Sequence, residues 1–154
     1  MRCIVAAVDG SDNAQRAVDL AADLASKFGA DLVLAYVITA APIATTSAGV
    51  RHPATDLRVP PRVQTVAVSD VPTDAAEDAL AQAKARAEAK GARRVETETR
   101  AGEPAEMILS VAKERGADAI VLGKRGRGRL AGLLLGSISQ KVVAQAECAV
   151  IVLP

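Results

Sequence analysis

The chain has 154 residues, 50% of them hydrophobic, with 19 Lys and Arg against 18 Asp and Glu and a formal net charge of +1. That length suits one domain with an ample buried core. One Phe, one Tyr, no Trp and a near-balanced charge argue against a nucleic-acid binder, which draws on excess positive charge and aromatic stacking platforms, and no apolar run approaches the roughly 18 residues of a membrane span.

Ile4 to Val8 is an apolar run of strand length, as expected of a parallel strand covered on both faces. Met1 to Val5 leads straight into it without a signal-peptide layout, so a cytoplasmic protein is expected. Asp9-Gly10-Ser11-Asp12 breaks the run, and Ser11 or Asp12 can cap the following helix. Ala14, Ala17, Val18, Ala21, Leu24, Ala25 and Phe28 then recur on one helical face. Gly29 stands in the C′ position that ends a helix, and Leu32 to Ile38 reads as the second strand.

From Thr39 to Val71 the periodicity fails. Pro42, Pro53, Pro60, Pro61 and Pro72 interrupt it, and 39–72 reads as a long loop insert. Arg62 to Val68 alternates weakly, as a short extended piece would. His52, the single histidine, lies here without a Cys or acid cluster and reads as a solvated loop residue.

Asp74 with Glu77 can cap an Ala-rich helix running to about Lys90, with Gly91 after it. Arg94 to Arg100 alternates, Val95-Glu96-Thr97-Glu98-Thr99, which suits a half-exposed edge strand. Gly102-Glu103-Pro104 opens a third helix with Pro104 in the tolerated first turn. Met107, Ile108, Val111 and Ala112 form its expected buried stripe, and Gly116 ends it. Ala119 to Leu122 is the fourth strand. On the last helix Val142, Val143 and Ala146 are expected to face inward, and Ala149 to Leu153 is the last strand.

Phe28-Gly29-Ala30-Asp31, Lys90-Gly91-Ala92-Arg93 and Arg115-Gly116-Ala117-Asp118 each end a helix and lead into a strand. Strands and helices therefore alternate, which gives an α/β fold with a parallel sheet covered on both faces. Ligands in such sheets bind beyond the carboxyl ends of the strands, where the strand order reverses. Strands one and four are the expected neighbours there. Cys3 and Cys148 read as reduced, buried thiols. With strands one and five flanking strand four, they stand roughly 9–10 Å apart, beyond the about 7 Å that a disulfide spans.

The stretch Gly123 to Ser137 sits between the fourth strand and the last helix. Gly123, Gly126, Gly128, Gly132 and Gly136 allow sharp turns and close backbone approach. Successive amides in such a turn make a concave nest for anions. Ser137-Ile138-Ser139-Gln140 reads as a capping box opening a helix, whose N-terminus suits phosphate. Lys124, Arg125, Arg127 and Arg129 add positive charge, and the Ser137 and Ser139 hydroxyls can donate to phosphate oxygens. Gly126-x-Gly128-x-x-Ala131 also fits a dinucleotide fingerprint, but no second strand ends in an acid about twenty residues on. A Walker loop is absent.

The spacing Gly123-x2-Gly126-x9-Gly136-Ser137 resembles the nucleotide-binding signature of the universal stress protein family, ATP-binding branch, and the likeness runs from Ile4 to the C-terminus apart from the insert. The resemblance implies a single domain over 1–154: a Rossmann-like (flavodoxin-like) three-layer sandwich with a five-stranded parallel sheet in the order 3-2-1-4-5 and two helices on each face. It implies ATP or another adenine nucleotide as ligand. Ala7 and Val8 would line the adenine slot, Val37 would bond adenine through its backbone, and Leu122 would pack on the base. The amides of Gly123, Lys124, Arg125, Gly126 and Arg127 would wrap the phosphates, with Gly136, Ser137, Ile138 and Ser139 closing the other side. Asp9 would lie near the ribose or a phosphate-bound Mg ion. The resemblance also implies a homodimer paired through the last strand, 149–153.

No second acid can be placed at the mouth beside Asp9, and phosphoryl transfer needs a positioned base and metal ligands. No catalytic residue is therefore assigned, and binding with at most slow hydrolysis is the expected function. The competing readings are a true ATPase or nucleotidyl-transfer enzyme, and nucleic-acid binding through 124–129.

Overall fold

The structure, a computed structural model, describes residues 1–39, 73–124 and 135–154. Its elements run β1 (Cys3–Val8), α1 (Asp12–Phe28), β2 (Asp31–Ile38), α2 (Thr73–Ala89), β3 (Val95–Ala101), α3 (Pro104–Glu114), β4 (Ala119–Gly123), α4 (Ser137–Gln145) and β5 (Ala149–Leu153). The described residues belong to one compact unit. The insert, with His52 and the Arg62–Val68 piece, lies outside the described residues.

The strands form a five-stranded parallel sheet in the order β3-β2-β1-β4-β5. The predicted order and the neighbouring of β1 and β4 are both found. The pleat divides the sheet's side chains between two cores. Ile4, Ala6, Leu32, Leu34 and Val121 pack with Ala17, Val18 and Ala21 of α1 and with Leu80, Ala83 and Ala87 of α2. Val5, Val33, Ala35, Ile120 and Leu122 pack on the other side with Ile108 and Val111 of α3 and Val142 of α4. Alanines on α1 and α2 keep the helix axes close to the sheet, which is how an almost non-aromatic chain fills its interior.

Local chemistry sets the helix ends. The Ser11 hydroxyl accepts from the Ala14 amide at 3.2 Å and caps α1. Gly29 closes that helix in the left-handed region, at φ 64°. Glu103 caps α3 by accepting from the Glu106 amide at 2.9 Å. Four expectations need correcting. Asp74 is inside the first turn of α2 rather than its cap, because the helix already starts at Thr73. Phe28 is 53% exposed: it is the last residue of α1, and a periodic face is buried only where a layer lies beneath it. Val143 is 48% exposed beside fully buried Val142, since adjacent helical residues point about 100° apart. On α3, Ala105 joins the buried stripe, while Met107 is only half-buried beside Gly102.

Candidate functional site

The carboxyl ends of β1, β2 and β4 meet at one edge of the sheet. β1 is in register with β2 to Val8↔Tyr36 and with β4 to Ala6↔Val121. Ala7, Val37, Leu122 and Ile138 all pack against the core on the α3/α4 side. Four of the residues read as base-lining or loop-closing thus converge on one face. Val8 does not join them. Strand alternation turns its side chain to the opposite face, where it lines a separate cleft of about 420 Å³ between α1 and α2, with Ala14, Val18 and Ala79.

Asp9 follows β1 and is half-buried. Its Oδ1 accepts from the Ser11 amide at 2.9 Å, an Asx-type turn that fixes the carboxylate just beyond the strand. Gly10 between them has φ 80°, a conformation that favours glycine. Asp9 therefore shapes the turn into α1, while Ser11 does the capping.

Across the mouth, β4 continues past its ladder with β1. It stays paired with β5 to Gly123↔Leu153. The Lys124 amide then donates to the Leu153 carbonyl at 2.5 Å, and the Gly136 amide donates to the Lys124 carbonyl at 2.9 Å. The buried Ser139 hydroxyl lies 2.9 Å from the Gly123 carbonyl oxygen and 3.3 Å from that of Lys124. Lys124 and Gly136 are thereby tied together where the chain leaves β4 and returns to α4.

These bonds correct part of the phosphate reading. The Lys124 and Gly136 amides are spent on the chain's own carbonyls, and so is the Ser139 proton. The capping box is not formed either. Gly136 is the N-cap in extended conformation, Ser137 is the first helical residue, and no side chain caps α4. The first-turn amides of Ser137, Ile138 and Ser139 have no acceptor within the helix, and the positive end of the helix dipole lies there. Gly123 has a role that spacing did not reveal. A Cβ on it would sit 2.8 Å from Asn13 Cβ and 2.9 Å from the Asn13 carbonyl carbon, so it is the contact that lets α1 lie against β4. Arg125, Gly126, Arg127 and the rest of 125–134 lie outside the described residues.

The cysteines stay apart from this chemistry. β1, β4 and β5 run in register through Ile4↔Ala119↔Ala149, which sets Cys3 and Cys148 on either side of Asp118. Both are free thiols. Burial, followed by the Asp31 carboxylate, pushes the Cys3 thiol up, and burial followed by Asp118 does the same to Cys148. Raised thiols are poor nucleophiles. Among the described residues no group of three or more His, Cys, Asp or Glu is placed to hold a metal ion, and no helix is long and apolar enough to cross a membrane.

Comparison with known proteins gives a consistent picture. The model of the universal stress protein family matches residues 1–154. The chain is 35% identical over 150 residues to universal stress protein YxiE of Bacillus subtilis, covering 97% of this chain and 96% of that protein. Among solved structures it is similar to universal stress protein UspA from Lactobacillus plantarum, with a TM-score of 0.77, 27% identity, and coverage of 99% of this chain and 97% of that one. A universal stress protein solved in complex with cAMP is similar at a TM-score of 0.70 and 26% identity, covering 98% of this chain and 94% of the other.

Proposed function

Because the chain belongs to the universal stress protein family, we propose that it binds an adenine nucleotide, ATP or a close relative, and serves as a nucleotide-dependent module of the stress response. The observation that carries this reading is the convergence of Ala7, Val37, Leu122 and Ile138 on one face at the mouth of the sheet, beside the uncapped N-terminus of α4. An apolar face next to a helix N-terminus that no side chain caps suits a flat base joined to a phosphate. The cAMP complex of a related structure supports the same ligand class.

In this reading Ala7, Val37 and Leu122 line the base, while the amides of Ser137, Ile138 and Ser139, with Arg125, Gly126 and Arg127, hold the phosphates. Asp9 faces the ribose or a Mg ion carried in by the nucleotide. With no second acid assigned beside Asp9 among the described residues, no base is assigned to activate water, and hydrolysis is slow at most. The whole of 1–154 acts as one domain, in the cytoplasm, and two copies pair through β5.

Isothermal titration calorimetry with ATP and AMP tests the reading. The wild-type chain binds at least one of them, and Gly126→Asp, which sets a carboxylate against the phosphates, lowers that affinity at least tenfold with an unchanged circular dichroism spectrum. Absence of adenylate binding by the wild type, or an undiminished affinity in Gly126→Asp, refutes it.

A further inference from the structure

Ser139 is the one buried polar side chain among the described residues, at 3% exposure. A hydroxyl enclosed this way costs free energy unless it is hydrogen-bonded, so its partners identify its work. Those partners are the carbonyl oxygens of Gly123 and Lys124, at 2.9 and 3.3 Å. Gly123 ends β4 and Lys124 follows it, both beyond the last β1 partner at Val121. The Lys124 carbonyl also accepts from the Gly136 amide. Gly136 and Ser139 belong to the start of α4, whose first helical bond runs from the Gln140 amide to the Gly136 carbonyl. One side chain thus joins the two ends of the glycine-rich stretch.

A hydroxyl has a single proton. Phosphate oxygens at neutral pH are acceptors, so a Ser139 contact with phosphate requires that proton. It is already engaged with two backbone carbonyls, and releasing it would leave a buried acceptor unsatisfied. We propose that the Ser139 side chain, as distinct from its backbone amide, plays a positioning role: its hydroxyl closes the neck between Lys124 and Gly136, holds the first turn of α4 at the mouth of the sheet, and does not touch the nucleotide. This rests on the adenine-nucleotide reading above, and the test separates the two.

The experiment compares wild type with Ser139→Ala in two measurements. Amide hydrogen exchange is followed at Gly136, in the neck, and at Leu34, in the buried centre of the sheet. Affinity is measured for ATP and for adenosine, which lacks phosphate. Exchange at Gly136 rises about tenfold with Leu34 unchanged, ATP affinity falls about tenfold, and adenosine affinity stays within twofold. A loss of ATP affinity with unchanged Gly136 exchange overturns the proposal, because the hydroxyl then contacts the phosphate directly. Equal acceleration at Gly136 and Leu34 overturns it in favour of a general packing role, and faster Gly136 exchange with unaltered ATP affinity also overturns it. If the wild type binds no adenylate, the nucleotide reading fails, and the exchange pair by itself decides whether the neck depends on Ser139.

Discussion

Gly123→Ala is the substitution at which sequence and structure assign different causes to one residue. From its place in the glycine pattern, Gly123 reads as a position where backbone must approach a ligand. In the folded chain its missing side chain is where α1 packs. An added Cβ would stand 2.8 Å from Asn13 Cβ, 2.9 Å from the Asn13 carbonyl carbon and 3.2 Å from the Ala14 amide nitrogen. Two of those atoms are backbone in the first turn of a helix capped by Ser11, so no rotamer change relieves the clash. Overpacking of this kind costs about 1–3 kcal/mol. At roughly 2–4 °C per kcal/mol for a chain of this size, melting should drop by several degrees with no ligand present.

Gly116 is the control. It has φ +58° and open space around the site of a Cβ, so Gly116→Ala costs about 1–2 kcal/mol through left-handed backbone strain alone. Asn adopts that conformation more readily than Ala, so Gly116→Asn should be milder than Gly116→Ala. At position 123 the order should reverse, because Asn is larger and the cost is steric. Urea unfolding monitored by circular dichroism reads both series. If Gly123→Ala costs less than about 0.5 kcal/mol, or Gly123→Asn proves milder than Gly123→Ala, the packing explanation is wrong.

Two further predictions concern the N-terminal edge of β4 and the edge strand. Asp118 accepts amides from Arg2 and Cys3, and these two bonds, Arg2 first, hold its carboxyl below the usual carboxylate range. Its stabilising effect is therefore present above the unfolded value near 3.9 and is lost as pH falls through the lower folded value. The urea midpoint of Asp118→Asn should lie below wild type at pH 7 and approach it as the carboxyl is titrated in acid, and a gap that stays constant down the whole acid range would refute the linkage. For β5, whose Val150, Ile151, Val152 and Leu153 are only half-buried on a sheet edge, light scattering at micromolar concentration should give twice the 15.8 kDa chain mass; a mass of 15.8 kDa refutes pairing through β5.

The parts of this molecule that local chemistry dictates were legible in the sequence. Gly29, Gly91 and Gly116 follow helices at φ 64°, 93° and 58°, and a repeated Gly-Ala step marks each of them in the sequence. Glu96, Thr97, Glu98 and Thr99 alternate, and β3 is an edge. What stayed hidden depends on partners distant in sequence. Nothing near Gly123 in the chain reveals that Asn13 lies against it, and nothing near Ser139 reveals that its acceptors are at 123 and 124. The capping-box pattern at Ser137 failed for a related reason. Helix α4 starts one residue after Gly136, where the Gly136 amide is already drawn to Lys124, so the long-range bond sets the cap position and overrides the local pattern.

That override changes how the glycine spacing should be understood. Gly123 is small because α1 needs the room, and Gly136 puts no side chain at the α4 cap, so the first turn keeps its amides unspent. Ser139, buried behind them, supplies the donor that the end of β4 requires. These residues tie the entrance together with internal bonds, and under the proposed function an entrance ordered in advance would let the amides bind an anion without first being ordered. The spacing therefore encodes a frame as much as a set of contacts. A chain that kept every glycine but lost the Ser139 hydroxyl would keep the pattern and weaken the site.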